Sequence, residues 1–125
     1  IVDAGAKRII RALEDYGFTV ALDDFGHGLV ALSELTDNRA SVIKFDSTWL
    51  ARLEDEPMRL LAASLVDLNK RLGKSIIFEG IESPAQAAFA REVGADLFQG
   101  FLYARPKSLT EILRMLAPEE ARVAY

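Results

Sequence analysis

The sequence contains no cysteine, and it holds only one histidine and one tryptophan. The absence of cysteine excludes disulfides and thiolate metal sites, although it does not identify a redox compartment. The scarcity of histidine leaves His27 without a second imidazole, which excludes a zinc site of the common type. Placed in a glycine loop, His27 reads as a surface residue. Long apolar runs are missing too. "SIIF" and "FTVAL" are among the longest, far short of the about 20 residues that cross a bilayer, and no cationic leader with an apolar stretch opens the chain. The expected location is cytoplasmic. Nor is there a surplus of positive charge, since 15 basic against 19 acidic residues give a formal charge of −4. That balance argues against the broad cationic face needed for duplex nucleic acid and leaves room for a single anionic ligand held by a metal.

What is present suits one domain: 125 residues, 50% of them apolar and 27% charged. Four runs rich in branched and aromatic residues predict strands: "FTVALDD" from Phe18, "SVIKFD" from Ser41, "SIIFEG" from Ser75 and "LFQGFLY" from Leu97. Helical patterns alternate with them. The first, over roughly 3–16, places Ile9, Ile10 and Leu13 inward and stops at Gly17. A second resumes after "EDEP", with Leu61, Leu65, Leu68 and Leu72 on one face and Gly73 at its end. The third opens on "SPAQ" and ends near Gly94, and the last opens on "SLTE" before Ile112, Leu113 and Leu116; both openings fit capping boxes. The domain spans 1–117, and 118–125 form a tail. Because the chain starts at Ile1, inside a helical pattern, it is expected to be part of something longer.

The fold class predicted is α/β, with parallel strands joined by right-handed crossovers and mostly apolar on both faces. Such a sheet is either small and open or part of a (β/α) barrel. Asp23, Asp24, Lys44, Asp46, Glu79 and Gln99 all fall at or near the C-terminal ends of the four runs. In a barrel those ends converge on one mouth, and the contribution from all four strands favours that architecture.

The stretch "VALDDFGHGLV" sets two carboxylates side by side where a strand meets a loop, an arrangement that is costly unless a cation or hydrogen bonds offset it. Neighbours in a regular strand point to opposite faces, so Asp23 and Asp24 share a site only if the strand is ending there. Hard oxygen ligands would suit Mg²⁺, Mn²⁺ or Ca²⁺, while a turn cap beside a solvated Asp is the plainer reading. Lys44, among Val42, Ile43 and Phe45, is either a group at the mouth that orients water or phosphate, or the partner in a structural ion pair with Asp23 or Glu79. Glu79 could ligate a metal or act as a base. Glu82 fits the loop or the next helix N-terminus, and Gln99 is a ligand contact or a buried amide bonded to main chain. Gly100 permits close approach to the backbone there. Trp49, Phe89 and Phe98 read as core. Asp24-Phe25-Gly26 lacks the rest of the kinase signature set.

Taken in order and at their spacings, "ALDDFGHG", "IKFD", "FEGIES" and "LFQGFLYARP" closely resemble the second half of an EAL domain, over about residues 1–107. The family comprises bacterial phosphodiesterases that hydrolyse cyclic di-GMP to linear pGpG. The resemblance implies a TIM-like (β/α)₈ barrel to which this chain contributes the last four strands. It also implies that Asp23, Asp24 and Glu79 are metal ligands, with Lys44 near the nucleophilic water and Glu79 sharing in catalysis. Gln99 would line the mouth and contact the nucleotide, and Asp46 would be the aspartate of the lysine's motif. The implied cofactor is Mg²⁺ or Mn²⁺, with Ca²⁺ inhibitory. The implied partners are cyclic di-GMP and either a second copy, as a homodimer, or the rest of a longer polypeptide that completes the barrel.

The family's Glu-Ala-Leu motif and two further metal ligands belong to the half that this chain does not contain. "DDFGHGLVAL" also stands where active members typically carry "DDFGTGYSSL". A second reading is therefore a degenerate domain that binds cyclic di-GMP or a protein without cleaving the nucleotide.

Overall fold

The structure is a computed structural model that describes residues 4–26, 36 and 40–117. His27, the segment after Gly26 and the tail 118–125 lie outside the described residues. Helix α1 spans Ala4–Asp15, β1 Ala21–Phe25 and β2 Val42–Phe45, followed by a 3₁₀ turn at Ser47–Trp49. Next come α2 (Glu56–Arg71), β3 (Ser75–Phe78), α3 (Pro84–Glu92), β4 (Leu97–Phe98) and α4 (Leu109–Leu116). The strands form one sheet in the order β1-β2-β3-β4, and every pairing is parallel. Four parallel strands alternating with helices are consistent with a partial α/β barrel.

Local sequence sets the helix boundaries. Asp55 caps α2 by accepting from the Met58 N–H, and Lys70 and Arg71 occupy its last turn, where cations suit the helix dipole. Ser83 with Gln86 and Ser108 with Glu111 form reciprocal capping boxes at α3 and α4. Gly17 and Gly73, just past α1 and α2, have φ of 85° and 75°.

The two faces of the sheet differ. Phe25, Ile43, Phe45, Ile76 and Phe78 are buried in one core with Ala62, Val66, Ala87, Phe89 and Ala90 of the helices. Within it, Phe45 contacts Phe25 at 5.1 Å and Phe78 at 5.0 Å, and Phe78 meets Phe89 at 6.3 Å. These rings form a layer directly beneath the C-terminal strand ends. By alternation, Ala21, Asp23, Val42, Lys44, Ile77 and Leu97 occupy the opposite face. No described element covers that face, where Leu97 is 57% exposed. The expectation of strands mostly apolar on both faces therefore holds: Ala21, Val42, Ile77 and Leu97 line the second face, and its charges, Asp23 and Lys44, lie toward the C-terminal strand ends.

Two helix faces differ from expectation. In α1, Ile9 is 63% exposed and Leu13 is exposed as well, because no described element covers that stripe. In α2 the fully covered positions are Ala62, Val66 and Asn69, one residue along from the leucine row. Small Ala62 and Val66 suit close approach to the sheet, and Leu61, Leu68 and Leu72 fall on the exposed flank. Strand β4 is also shorter than the run beginning at Leu97. Past Phe98 the chain leaves the ladder and bonds to the loop after β3 through Ile81 N–H to the Gln99 carbonyl, at 3.0 Å.

Asp96 ties three pieces together at the other end of the sheet. Its carboxylate accepts from the Lys70 ammonium at 2.7 Å and from the Ile76 N–H at 2.8 Å, while Lys70 also donates to the Gly94 carbonyl. Burial opposes the charge of Asp96, but these hydrogen bonds outweigh it and hold the carboxyl below its usual value.

Candidate functional site

Strand β1 does not end before its paired acids; it bulges. Leu22 pairs with Ile43 and Phe25 with Phe45, so Asp23 and Asp24 together stand opposite the single residue Lys44. Asp24 has φ 51°, in the left-handed region that Asp enters more readily than most residues. The extra residue breaks the alternation, and the two adjacent carboxylates serve one side of the sheet. Carboxylate oxygens of Asp23, Asp24 and Glu79 lie within 4.8 Å of one another.

Lys44 stands inside this group. Its ammonium is 2.8 Å from Asp23 Oδ1 and 2.7 Å from Glu79 Oε1. The hydrogen bond from Lys44 holds the Asp23 carboxyl below the usual aspartate value; slight desolvation opposes this and the Asp24 N–H reinforces it. In turn, hydrogen bonds to Asp23 and then to Glu79 hold the Lys44 ammonium above the usual lysine value despite some burial. Lys44 is thus charged at neutral pH, and both ion-pair alternatives raised by the sequence are realised together.

Three carboxylates gather around one ammonium that pairs with two of them, an excess of two acidic groups over the cation. A single divalent cation would balance them, and an all-oxygen donor set is the kind that Mg²⁺, Mn²⁺ and Ca²⁺ prefer. The residues present therefore fit the expected metal.

The other expected residues divide. Asp46 is the cap of the 3₁₀ turn, accepting from Thr48 Oγ1 at 2.6 Å and the Thr48 N–H at 3.3 Å, and it stands outside the acidic group. Glu82 is exposed before α3, with its backbone N–H bonded to Gln86 Oε1. Gln99 bonds through its backbone to Phe78 and Ile81, while its side chain is exposed at the rim, which corrects the buried-amide reading. Gly100 does permit a close approach: a Cβ there would collide with the Ile81 backbone.

Trp49 has a part that its reading as core did not include. Its indole N–H donates to the Phe25 carbonyl at 2.6 Å, at the end of the bulged strand. The aromatic layer gave a signal that could have shown this arrangement, since Asp24, Lys44 and Glu79 each adjoin a buried Phe, namely Phe25, Phe45 and Phe78.

Comparison with known proteins agrees with this geometry. Residues 2–106 match the EAL domain model. The probable cyclic di-GMP phosphodiesterase PdeD of Escherichia coli K12 is 32% identical over 111 residues, which is 88% of this chain and 21% of that protein. A solved complex of the PaMucR phosphodiesterase with c-di-GMP superposes with a TM-score of 0.80 at 30% identity, over 86% of this chain and 44% of that one. A manganese and cyclic di-GMP complex of Klebsiella pneumoniae BlrP1 gives 0.71 at 34% identity, over 80% and 26%. This chain thus spans about a fifth of the curated relative and under half of either solved chain. Among the described residues, no helix is long and apolar enough to cross a membrane. The chain belongs to the EAL domain family.

Proposed function

We propose that this chain supplies one half of the site of a divalent-metal-dependent phosphodiesterase, which opens cyclic di-GMP to linear pGpG in bacterial second-messenger signalling. The observation that carries the reading is the bulge at Asp23 and Asp24, which gathers three carboxylates around Lys44. Similarity to proteins named as cyclic di-GMP phosphodiesterases supports the substrate, as does similarity to solved complexes with that nucleotide.

In this reading Asp23, Asp24 and Glu79 hold Mg²⁺ or Mn²⁺, and Ca²⁺ occupies the same ligands without supporting turnover. The bound ion supplies Lewis-acid polarisation of the phosphodiester and lowers the pKa of bound water. Lys44, its ammonium fixed by two carboxylates, presents a positive charge to a phosphate oxygen and orients the attacking water. Glu79, 17% exposed in its side chain and already a hydrogen-bond acceptor, takes the proton as water adds to phosphorus; the P–O ester bond to the sugar breaks, and the leaving oxygen takes a proton from solvent to become the free hydroxyl of linear pGpG. Gln99 contacts the nucleotide from the rim. The setting carried with this reading is cytoplasmic.

Completion of the barrel is part of the proposal. Strands β1 and β4 each have one neighbour in the described sheet, and the charged face between them is open. A homodimer, or the remainder of a longer polypeptide, covers those edges. The test is chromatography of cyclic di-GMP incubated with Mg²⁺ or Mn²⁺ and the completed barrel. Linear product that disappears in Asp23→Asn supports the reading, and tight nucleotide binding without product contradicts it.

A further inference from the structure

We infer that Trp49 is a positioning residue for the paired aspartates, holding the bulged end of β1 through its indole N–H. The inference rests on the metal reading of that pair given above. Three observations converge on it. The indole N–H donates to the Phe25 carbonyl at 2.6 Å, and this bond is buried. A Cβ placed on Gly26, where φ is 102°, would run into the Trp49 ring, so the chain beyond the bulge lies directly against the indole. Trp49 is 8% exposed and its ring sits edge-on to Phe45 at 5.5 Å, which fixes its orientation from β2.

The consequence follows from where the bulge interrupts the ladder. The bulge of Asp23 and Asp24, the latter in the left-handed region, is bounded by Leu22, which pairs with Ile43, and by Phe25, which pairs with Phe45. A backbone strained in this way persists only where its surroundings over-determine it. Trp49 supplies such a constraint, one residue past Asp24, from the turn that follows the Lys44 strand. It therefore couples the positions of the two aspartates to that of Lys44 without touching the carboxylates. Phenylalanine in its place would keep the aromatic packing and lose only the hydrogen bond.

The test compares the completed barrel, unsubstituted and with Trp49→Phe, using free Mn²⁺ counted by electron paramagnetic resonance and hydrogen exchange at the Asp24, Phe25 and Gly26 amides. The expected result is Mn²⁺ binding about tenfold weaker, with faster exchange at those amides and an unchanged circular dichroism spectrum. Unchanged affinity with unchanged exchange would overturn the inference. If the unsubstituted protein holds no Mn²⁺, the metal reading fails, and the exchange data still decide whether Trp49 holds the bulge. If Trp49→Phe does not fold, the Trp49 indole N–H of the unsubstituted barrel decides. Exchange as slow as that of core amides supports the brace, and exchange as fast as free indole overturns it.

Discussion

Lys44 Nζ lies 2.8 Å from Asp23 Oδ1 because two residues of β1 share the space opposite one residue of β2. The same ammonium reaches Glu79, the residue just past β3, at 2.7 Å, so one cation ties together β1, β2 and the end of β3. Replacing it with a neutral side chain removes the charge that the proposed mechanism offers to the substrate while sparing the strands. Lys44→Gln is expected to lower turnover about 100-fold, as for loss of one transition-state donor. Single-turnover rates at saturating nucleotide check this, and a change confined to KM would assign Lys44 to binding alone.

The pH dependence of stability follows from the same pair. The pKa of Lys44 is raised by folding, so its contribution is fully present below the unfolded value near 10.5 and is lost as pH rises through the higher folded value. Asp23 is lowered, so its contribution is present above the unfolded value near 3.8 and is lost as pH falls through the lower folded value. Denaturant unfolding in the presence of a chelator should show Lys44→Met losing stability at neutral pH and flattening both limbs. Parallel curves for the two proteins would show that the pair does not couple to folding.

Asp96 provides a control away from the acidic group. Asp96→Ala removes acceptors from Lys70 and from the Ile76 N–H. The side chain is 37% exposed, so the expected loss is about 1 kcal/mol, below the usual range for charged hydrogen bonds. Chemical denaturation measures the loss, and Mn²⁺ affinity should be unchanged.

The open sheet face and edges predict that the 125-residue chain by itself does not persist as a dispersed monomer. Size-exclusion chromatography with light scattering should show association or aggregation. A stable monomer would contradict the requirement for a completing partner.

Local chemistry explains what could be read in the sequence. Ser83 and Ser108 announce their helices because a capping box needs only four consecutive residues. The strand positions followed from short branched runs, and the clustering of Asp23, Lys44 and Glu79 from their common place at strand ends. The bulge was not legible, because it depends on register with β2, about twenty residues away, and not on the Asp-Asp pair itself. The buried side of α2 was misjudged for a related reason. Four leucines make a louder stripe than Ala62, Val66 and Asn69, yet the smaller residues form the fully buried face. Trp49 looked like core from its type alone; its bond to Phe25 belongs to the tertiary structure.

The most direct measurement is Mn²⁺ titration of the completed barrel and its Asp23→Asn variant, followed by chromatography of cyclic di-GMP incubated with each. The account predicts metal-dependent linear pGpG from the unsubstituted protein, abolished by a chelator, and both weaker Mn²⁺ binding and loss of product in Asp23→Asn. Metal affinity and product formation unaffected by the substitution would contradict it.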